Sequence, residues 1–191
     1  MNRTHLELCS SAEWAEAVER WIIPWVLDSV DLGDDVLEVG PGPGLTTNIL
    51  RLRAARLTAV EIHPDLAASL KERLDGTNVD VICADATATD LPGDRFTGAV
   101  CLTMLHHVPT AELQDRLFSE IRRLIRPGGV LAGQDSLASD ELRDLHIDDI
   151  YVPVDPAGLA GRLESAGFSD VDVDTNEYAV RFRARKGPVS R

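Results

Sequence analysis

Apolar positions along the chain follow two alternating rhythms. Short runs rich in valine, isoleucine and leucine are separated by stretches in which apolar residues recur at helical spacing. Runs of this kind, without the strict alternation of a one-sided strand, mark a parallel sheet covered by helices on both faces. The pattern predicts strands over Asp35–Val39, Leu57–Glu61, Val79–Cys83, Phe96–Leu102 and Gly129–Gln134, and helices over Leu45–Arg53, Pro64–Leu74 and Thr110–Ile125. The last helix has the clearest stripe, Leu113, Leu117, Ile121 and Leu124, and a breaker after it in Arg126-Pro127-Gly128-Gly129. Upstream, Ser10-Ser11-Ala12-Glu13 reads as a capping box opening a helix. Its Trp14, Val18, Trp21, Ile22 and Trp25 share a face read as packed core, and Pro24 is expected to kink or shorten it. After the fifth strand the rhythm changes to a polar helix near Asp140–His146, an irregular stretch over Ile147–Pro156 and a helix near Pro156–Ala166. Strands over Val171–Asp174 and Tyr178–Arg185 then lie close enough for an antiparallel hairpin, with Tyr178, Val180, Phe182 and Ala184 on the buried face.

Composition narrows this picture. A chain of 191 residues suits one compact domain, and no repeat, low-complexity tract or linker divides it. Residues 1–31 read as a helical cap, 32–135 as the core and 136–191 as a further segment ending in the hairpin. Cys9, Cys83 and Cys101 lack metal-ligand spacing, which suits a reduced, cytoplasmic protein. No apolar stretch is long enough to span a bilayer, so no membrane partner is expected. The net charge of -13 argues against nucleic acid, whose affinity rests on lysine and arginine. Residues 134–177 hold twelve acids against two arginines, whereas Arg181, Arg183, Arg185, Lys186 and Arg191 stand in a terminus without acids. A solvated acidic face and a basic edge strand account for this.

The candidate chemistry lies at strand ends. Val36-Leu37-Glu38-Val39 runs into Gly40-Pro41-Gly42-Pro43-Gly44 before a helix, where glycine lets backbone N–H groups approach a ligand. The second strand ends in Glu61, an acid placed to accept from ribose hydroxyls. The third ends in Asp85-Ala86, where a carboxylate can accept from an adenine amino group and the next N–H can donate to a ring nitrogen. Open α/β sheets bind ligands at this edge.

With these residues the sequence resembles class I S-adenosylmethionine-dependent methyltransferases, especially the small-molecule group related to ubiquinone and menaquinone biosynthesis methyltransferases. The likeness runs from about Leu32 to Asp135. It implies a Rossmann-like three-layer α/β sandwich with a seven-stranded, mostly parallel sheet and an antiparallel C-terminal hairpin. The cofactor it implies is S-adenosylmethionine, leaving as S-adenosylhomocysteine, held by Glu38, Gly40, Pro41, Gly42, Gly44, Glu61, Ile62, Asp85, Ala86 and Thr103. Thr103-Met104-Leu105-His106-His107-Val108 becomes the loop beside the methyl donor, with His106 and His107 as a general base or as pocket-shaping residues. Thr97 stands where relatives often carry aspartate, a position that is generally structural.

Asp135, His146, Asp148 and Asp149 have metal-ligand chemistry. Metal-dependent catechol-type relatives, however, place an acid where Thr103 stands and an acid-amide pair where Gln134-Asp135 stands, so no metal is expected. The Ile147–Pro156 stretch with Tyr151 is expected to wall the substrate. A nicotinamide-dependent oxidoreductase would need glycine where Leu45 or Thr47 stands, and Glu38 would repel its pyrophosphate. A non-catalytic S-adenosylmethionine or S-adenosylhomocysteine binding protein remains the alternative to an enzyme. Motifs for amino methylation in nucleic acid and for cytosine C5 methylation are absent, which leaves a small-molecule acceptor and a monomer or homodimer.

Overall fold

The computed structural model describes residues 2–188; Arg191 lies outside them. Seven strands form one sheet: β1 (Asp35–Val39), β2 (Arg56–Glu61), β3 (Val79–Cys83), β4 (Phe96–Leu102), β5 (Ile125–Ser136), β6 (Ser169–Thr175) and β7 (Ala179–Arg185). Their order is β3-β2-β1-β4-β5-β7-β6. The first five pair in parallel, and β7 lies antiparallel between β5 and β6. The order reverses between β1 and β4, so the crevice above their carboxyl ends is the topological switch point where such sheets take ligands.

Every residue of β1 is buried because both faces of the sheet are covered. Leu37 and Val39 join Phe96, Leu117, Phe118, Ile121 and Phe182 on one side, under α6 (Ala111–Leu124) and α8 (Pro156–Ser165). Val36 joins Val100, Leu102, Val18, Ile23 and Val26 on the other, under the N-terminal helices and α4 (Leu45–Leu50). A side chain at Gly133 of β5 would bring its Cβ within 2.2 Å of the Phe182 ring, so β7 packs there only because that position is bare. Thr97 ties β4 to the entry of β1: its hydroxyl accepts from the Asp35 N–H at 3.0 Å and donates to the Leu32 carbonyl at 2.6 Å.

Several local expectations change. A helix not foreseen, α1 (Arg3–Cys9), precedes the predicted one. Ser10 closes α1, and the cap of α2 (Ala12–Ala17) is Ser11, whose hydroxyl accepts from the Trp14 N–H at 3.1 Å. A π-helical turn over Val18–Ile22 links α2 to α3 (Ile23–Leu27), and Pro24 stands at the second position of α3, directly after that turn. One residue of the tryptophan stripe leaves the core: Trp21 is 72 % exposed, whereas Trp14, Ile22 and Trp25 are half-buried against a core that includes Val18, Ile23 and Val26. Tyr178 falls outside β7 and is 76 % exposed.

Nor is β7 an edge. The acidic β6 takes that place, and its aspartates blunt it against pairing with another chain. The arginines of β7 instead hold the N-terminal helices. Arg181 donates to the Trp25 carbonyl at 2.9 Å and lies 5.2 Å from the Trp25 ring, while Arg183 donates to the carbonyls of Trp25 and Val26 at 3.1 and 3.2 Å.

Candidate active site

The turn from β1 into α4 carries Gly40, Gly42 and Gly44 at φ of +66, +53 and +84°, a region that residues with a Cβ enter only at a cost. At Gly40 a Cβ would come 3.0 Å from the Met104 side chain, so the bare backbone lets Met104 close over the loop. At Gly44 it would meet Leu70 and Arg73 of α5 (Pro64–Arg73) at 2.3 and 2.5 Å. Gly44 therefore serves the packing of α5 against the turn, whereas the direction above Gly42 is open for 4 Å.

Two carboxylates brace this loop from below. Glu61, 3 % exposed, accepts from the Gly42 N–H at 3.0 Å through Oε2 and from the His63 N–H at 2.9 Å through Oε1. Glu38, 2 % exposed, accepts from the Thr46 hydroxyl through Oε1, and its Oε2 has no hydrogen-bond partner. Burial pushes the Glu38 carboxyl up to about 7; the Thr46 hydrogen bond opposes that rise and the charge of Glu61 adds to it. A buried acid with one unpartnered oxygen thus lies beneath the glycine turn.

Three clefts open around the loop. The first, about 670 Å³, lies between the ends of β1, β2 and β3 and is lined by Gly40, Ile62, Asp85, Ala86, Met104 and His107, among others. The exposed Asp85 carboxylate accepts from the Thr87 N–H at 2.8 Å, which fixes one oxygen and leaves the acid facing solvent. The second, about 480 Å³, runs over Gly40, Pro41, Gly42 and Thr46 to Thr103 and is roofed by Cys9 and Trp14. Thr103 has φ +52°, strained for a β-branched residue, and shares a 3.1 Å hydrogen bond with the Gln134 amide oxygen. The third, about 1470 Å³, meets the second at Trp14 and Ile22 and is walled by Trp21, Trp25 and Tyr178.

The two histidines separate. His107 lines the first cleft, where burial and the neighbouring imidazoles hold its pKa down to about 2. His106 lines none of the three: its Nδ1 bonds the Asp135 carboxylate at 2.6 Å, both side chains fully enclosed. Tyr151 turns onto the His146 ring, 4.6 Å between centroids, and away from all three clefts, so the expected substrate wall is not formed by it. Trp14 and Cys9, which no local motif marks, roof the second cleft because α1 and α2 fold back over the sheet edge.

A switch-point crevice with a glycine turn, an acid at the end of each of the first three strands and an antiparallel hairpin closing the sheet defines the fold of class I methyltransferases. A family described as Methyltransferase domain matches residues 37–133, and the chain belongs to it. It is 34 % identical over 112 residues to a ubiquinone biosynthesis O-methyltransferase of Azotobacter vinelandii, covering 56 % of this chain and 47 % of that protein. It is 40 % identical over 87 residues to an rRNA adenine N-6-methyltransferase of Saccharopolyspora erythraea, covering 43 % and 23 %. The chain thus spans about half or less of the length of these relatives. Its fold is that of a SAM dependent methyltransferase from Aquifex aeolicus, with a TM-score of 0.76, 17 % identity, and 97 % and 99 % of the two chains covered. No helix among the described residues is long and apolar enough to cross a membrane.

Proposed function

We propose that the chain transfers a methyl group from S-adenosylmethionine to a small, largely apolar acceptor held in the tryptophan-lined cleft. The observation that carries the donor is the pair of acids beneath the glycine turn, above all the unpartnered oxygen of buried Glu38. On this reading Glu38 takes the ammonium of the donor, Gly40, Pro41 and Gly42 supply close-approaching backbone, Glu61 braces the turn and meets the ribose, and Asp85, Ala86 and Ile62 border the adenine. Thr103 stands at the reacting end.

When bound, S-adenosylmethionine supplies a methyl group activated by its sulfonium; what the chain contributes is alignment and exclusion of water, up to about 7–11 kcal/mol when two reactants are well oriented. Met104 closing on Gly40, and Cys9 and Trp14 over the second cleft, do the excluding. Burial and the neighbouring imidazoles push the His107 pKa down, which disfavours a base role at neutral pH, and His106 lines none of the three clefts. Both shape the loop after β4. The acceptor is delivered ready to react or loses its proton to solvent.

An apolar acceptor is favoured over RNA because Trp21, Trp25 and Tyr178 offer aromatic faces, while Arg181 and Arg183 are occupied by backbone carbonyls and the chain carries -13 net charge. The test is methyl transfer from labelled S-adenosylmethionine to a panel of planar hydroxylated aromatics and, separately, to total RNA. Label is expected in the organic fraction. Label in RNA alone would overturn the acceptor; calorimetry showing no S-adenosylmethionine binding, with NADH bound instead, would overturn the donor.

A further inference from the structure

Four of the five histidines in the chain converge on one point. His5 comes from α1, His106 and His107 from the short 3₁₀ turn Leu105–His107 after β4, and His146 from the C-terminal cap of α7 (Asp140–Leu145). One ring nitrogen of each lies within 4.8 Å of the others, and the ring centroids are 4.3 to 6.1 Å apart. His5, His106 and His146 are buried and His107 is half-buried. Each ring has a buried nitrogen without a hydrogen-bond partner: Nδ1 of His5 and Nε2 of His106, His107 and His146. Buried unsatisfied polar atoms cost about 1–3 kcal/mol apiece.

The surroundings are arranged as they are behind metal-bound imidazoles. His106 Nδ1 is held by the Asp135 carboxylate at 2.6 Å, and His146 Nδ1 by the Leu142 carbonyl at 2.5 Å. Both contacts keep the ring proton on Nδ1 and turn the Nε2 lone pair inward, as carboxylates and carbonyls do for ligating histidines. The α1 helix is fixed for the purpose: the Asn2 side chain caps it by accepting from the His5 N–H at 2.9 Å and reaches across to the Leu145 carbonyl at 2.7 Å.

We propose that His5, His106, His107 and His146 bind one zinc ion, a four-nitrogen site that staples α1 to the core. Four protein nitrogens make a closed tetrahedral shell, the form that structural zinc takes, and imidazole suits a borderline-soft divalent ion. With Zn–N near 2.0–2.1 Å, ligand nitrogens stand about 3.3 Å apart. The widest pair, 4.8 Å, reaches that by small rotations of rings that are already adjacent. The ion would order the N-terminal segment whose Cys9 and Trp14 roof the second cleft, and it is independent of what that cleft holds.

The test uses the full chain stripped by dialysis against a chelator and titrated with cobalt(II) or zinc. One equivalent of cobalt per chain with the intense visible d–d bands of tetrahedral coordination is expected. Zinc at about 100 times its Kd should raise the melting temperature by about 5–10 °C. His146→Gln and His5→Gln should each weaken zinc binding by about 100-fold or more and abolish the tetrahedral spectrum, while His63→Gln, outside the cluster, should leave both unchanged. Asp135→Asn, at the residue that holds His106 Nδ1, should weaken binding about 10–100-fold and retain the spectrum at saturating metal. Wild-type protein that takes up no cobalt, or shows only the pale octahedral spectrum, would refute the site whether or not the variants fold. So would tight binding that survives in the His5→Gln, His146→Gln double variant.

Discussion

Glu38 gives the sharpest test of the donor end of the site, because its charge must be carried in a nearly dry pocket. Its carboxyl is raised from 4.5 to about 7, which corresponds to about 3 kcal/mol at 1.36 kcal/mol per unit. The folded chain then holds a proton on Glu38 between pH 4.5 and 7 that the unfolded chain has released. Its stabilisation is full below about 4.5 and is lost as pH rises through about 7. Glu38→Gln mimics the protonated acid at every pH. The stability difference between variant and wild type should therefore grow in favour of the variant from about pH 5, reaching about 3 kcal/mol by pH 8. His5, His107 and His146, whose pKa values are lowered, contribute the opposite slope below 6.5, but they do so in both chains and cancel in the difference. Urea unfolding followed by circular dichroism at several pH values measures it. S-adenosylmethionine should bind wild type more tightly as pH rises through 7, with proton release in calorimetry, because its ammonium favours the charged acid. The variant should bind weakly with no proton release. A stability difference flat between pH 5 and 8, or a variant that binds the donor as tightly as wild type, would refute the assignment.

Glu61→Ala, which removes the acceptor of the Gly42 and His63 N–H groups, should weaken S-adenosylmethionine binding by about 1–3 kcal/mol in calorimetry; unchanged affinity would remove Glu61 from the donor site. Trp21→Ala, at a residue 72 % exposed, should shift stability by less than about 0.5 kcal/mol yet raise KM for the acceptor and leave donor affinity alone, as steady-state kinetics against each substrate would show. Gly133→Ala should cost at least about 1–3 kcal/mol in denaturant unfolding, since its Cβ would meet Phe182 at 2.2 Å and the Cys101 carbonyl at 2.7 Å with no void to receive it.

The glycine turn and the strand-end acids are legible in the chain because their parts are local. Positive φ at Gly40 and Gly42 leaves the amino-acid code few substitutes, and Glu38, Glu61 and Asp85 each sit where a strand of a parallel sheet must end. The five parallel strands followed because their centres are mainly apolar and, except in the edge strand β3, mainly buried, and only the ends of β5 and β2 moved. Trp21 departs from the packed stripe that Trp14 and Trp25 keep because helical spacing records that residues share a face, not what the face meets. Val18 and Trp21 are on similar phases of the N-terminal helices, but the π-helical turn between them rotates Trp21 out to the third cleft. The basic strand was misplaced because the position of β7 between β5 and β6 depends on Gly133 accepting Phe182, a pairing that no local pattern announces.

The histidine cluster is the least local feature of all. His106 and His107 are adjacent, but His5 and His146 arrive from about a hundred and forty residues apart, and they meet only because Asn2 caps α1 and bonds the end of α7 at once. Chain spacing therefore argued against a metal at Asp135 and His146 on the strength of a ligand set used by relatives, while Asp135 was set behind a ligand instead of in front of one. On the proposed reading function divides along the chain: main-chain turns and strand-end acids hold the donor, and the segments before residue 30 and after residue 135 are assembled over them. Loss of the α1 contacts should accordingly lower metal content and, through Cys9 over the second cleft, reach the glycine turn, while Glu38 and Glu61 keep their own bonds to Thr46, Gly42 and His63.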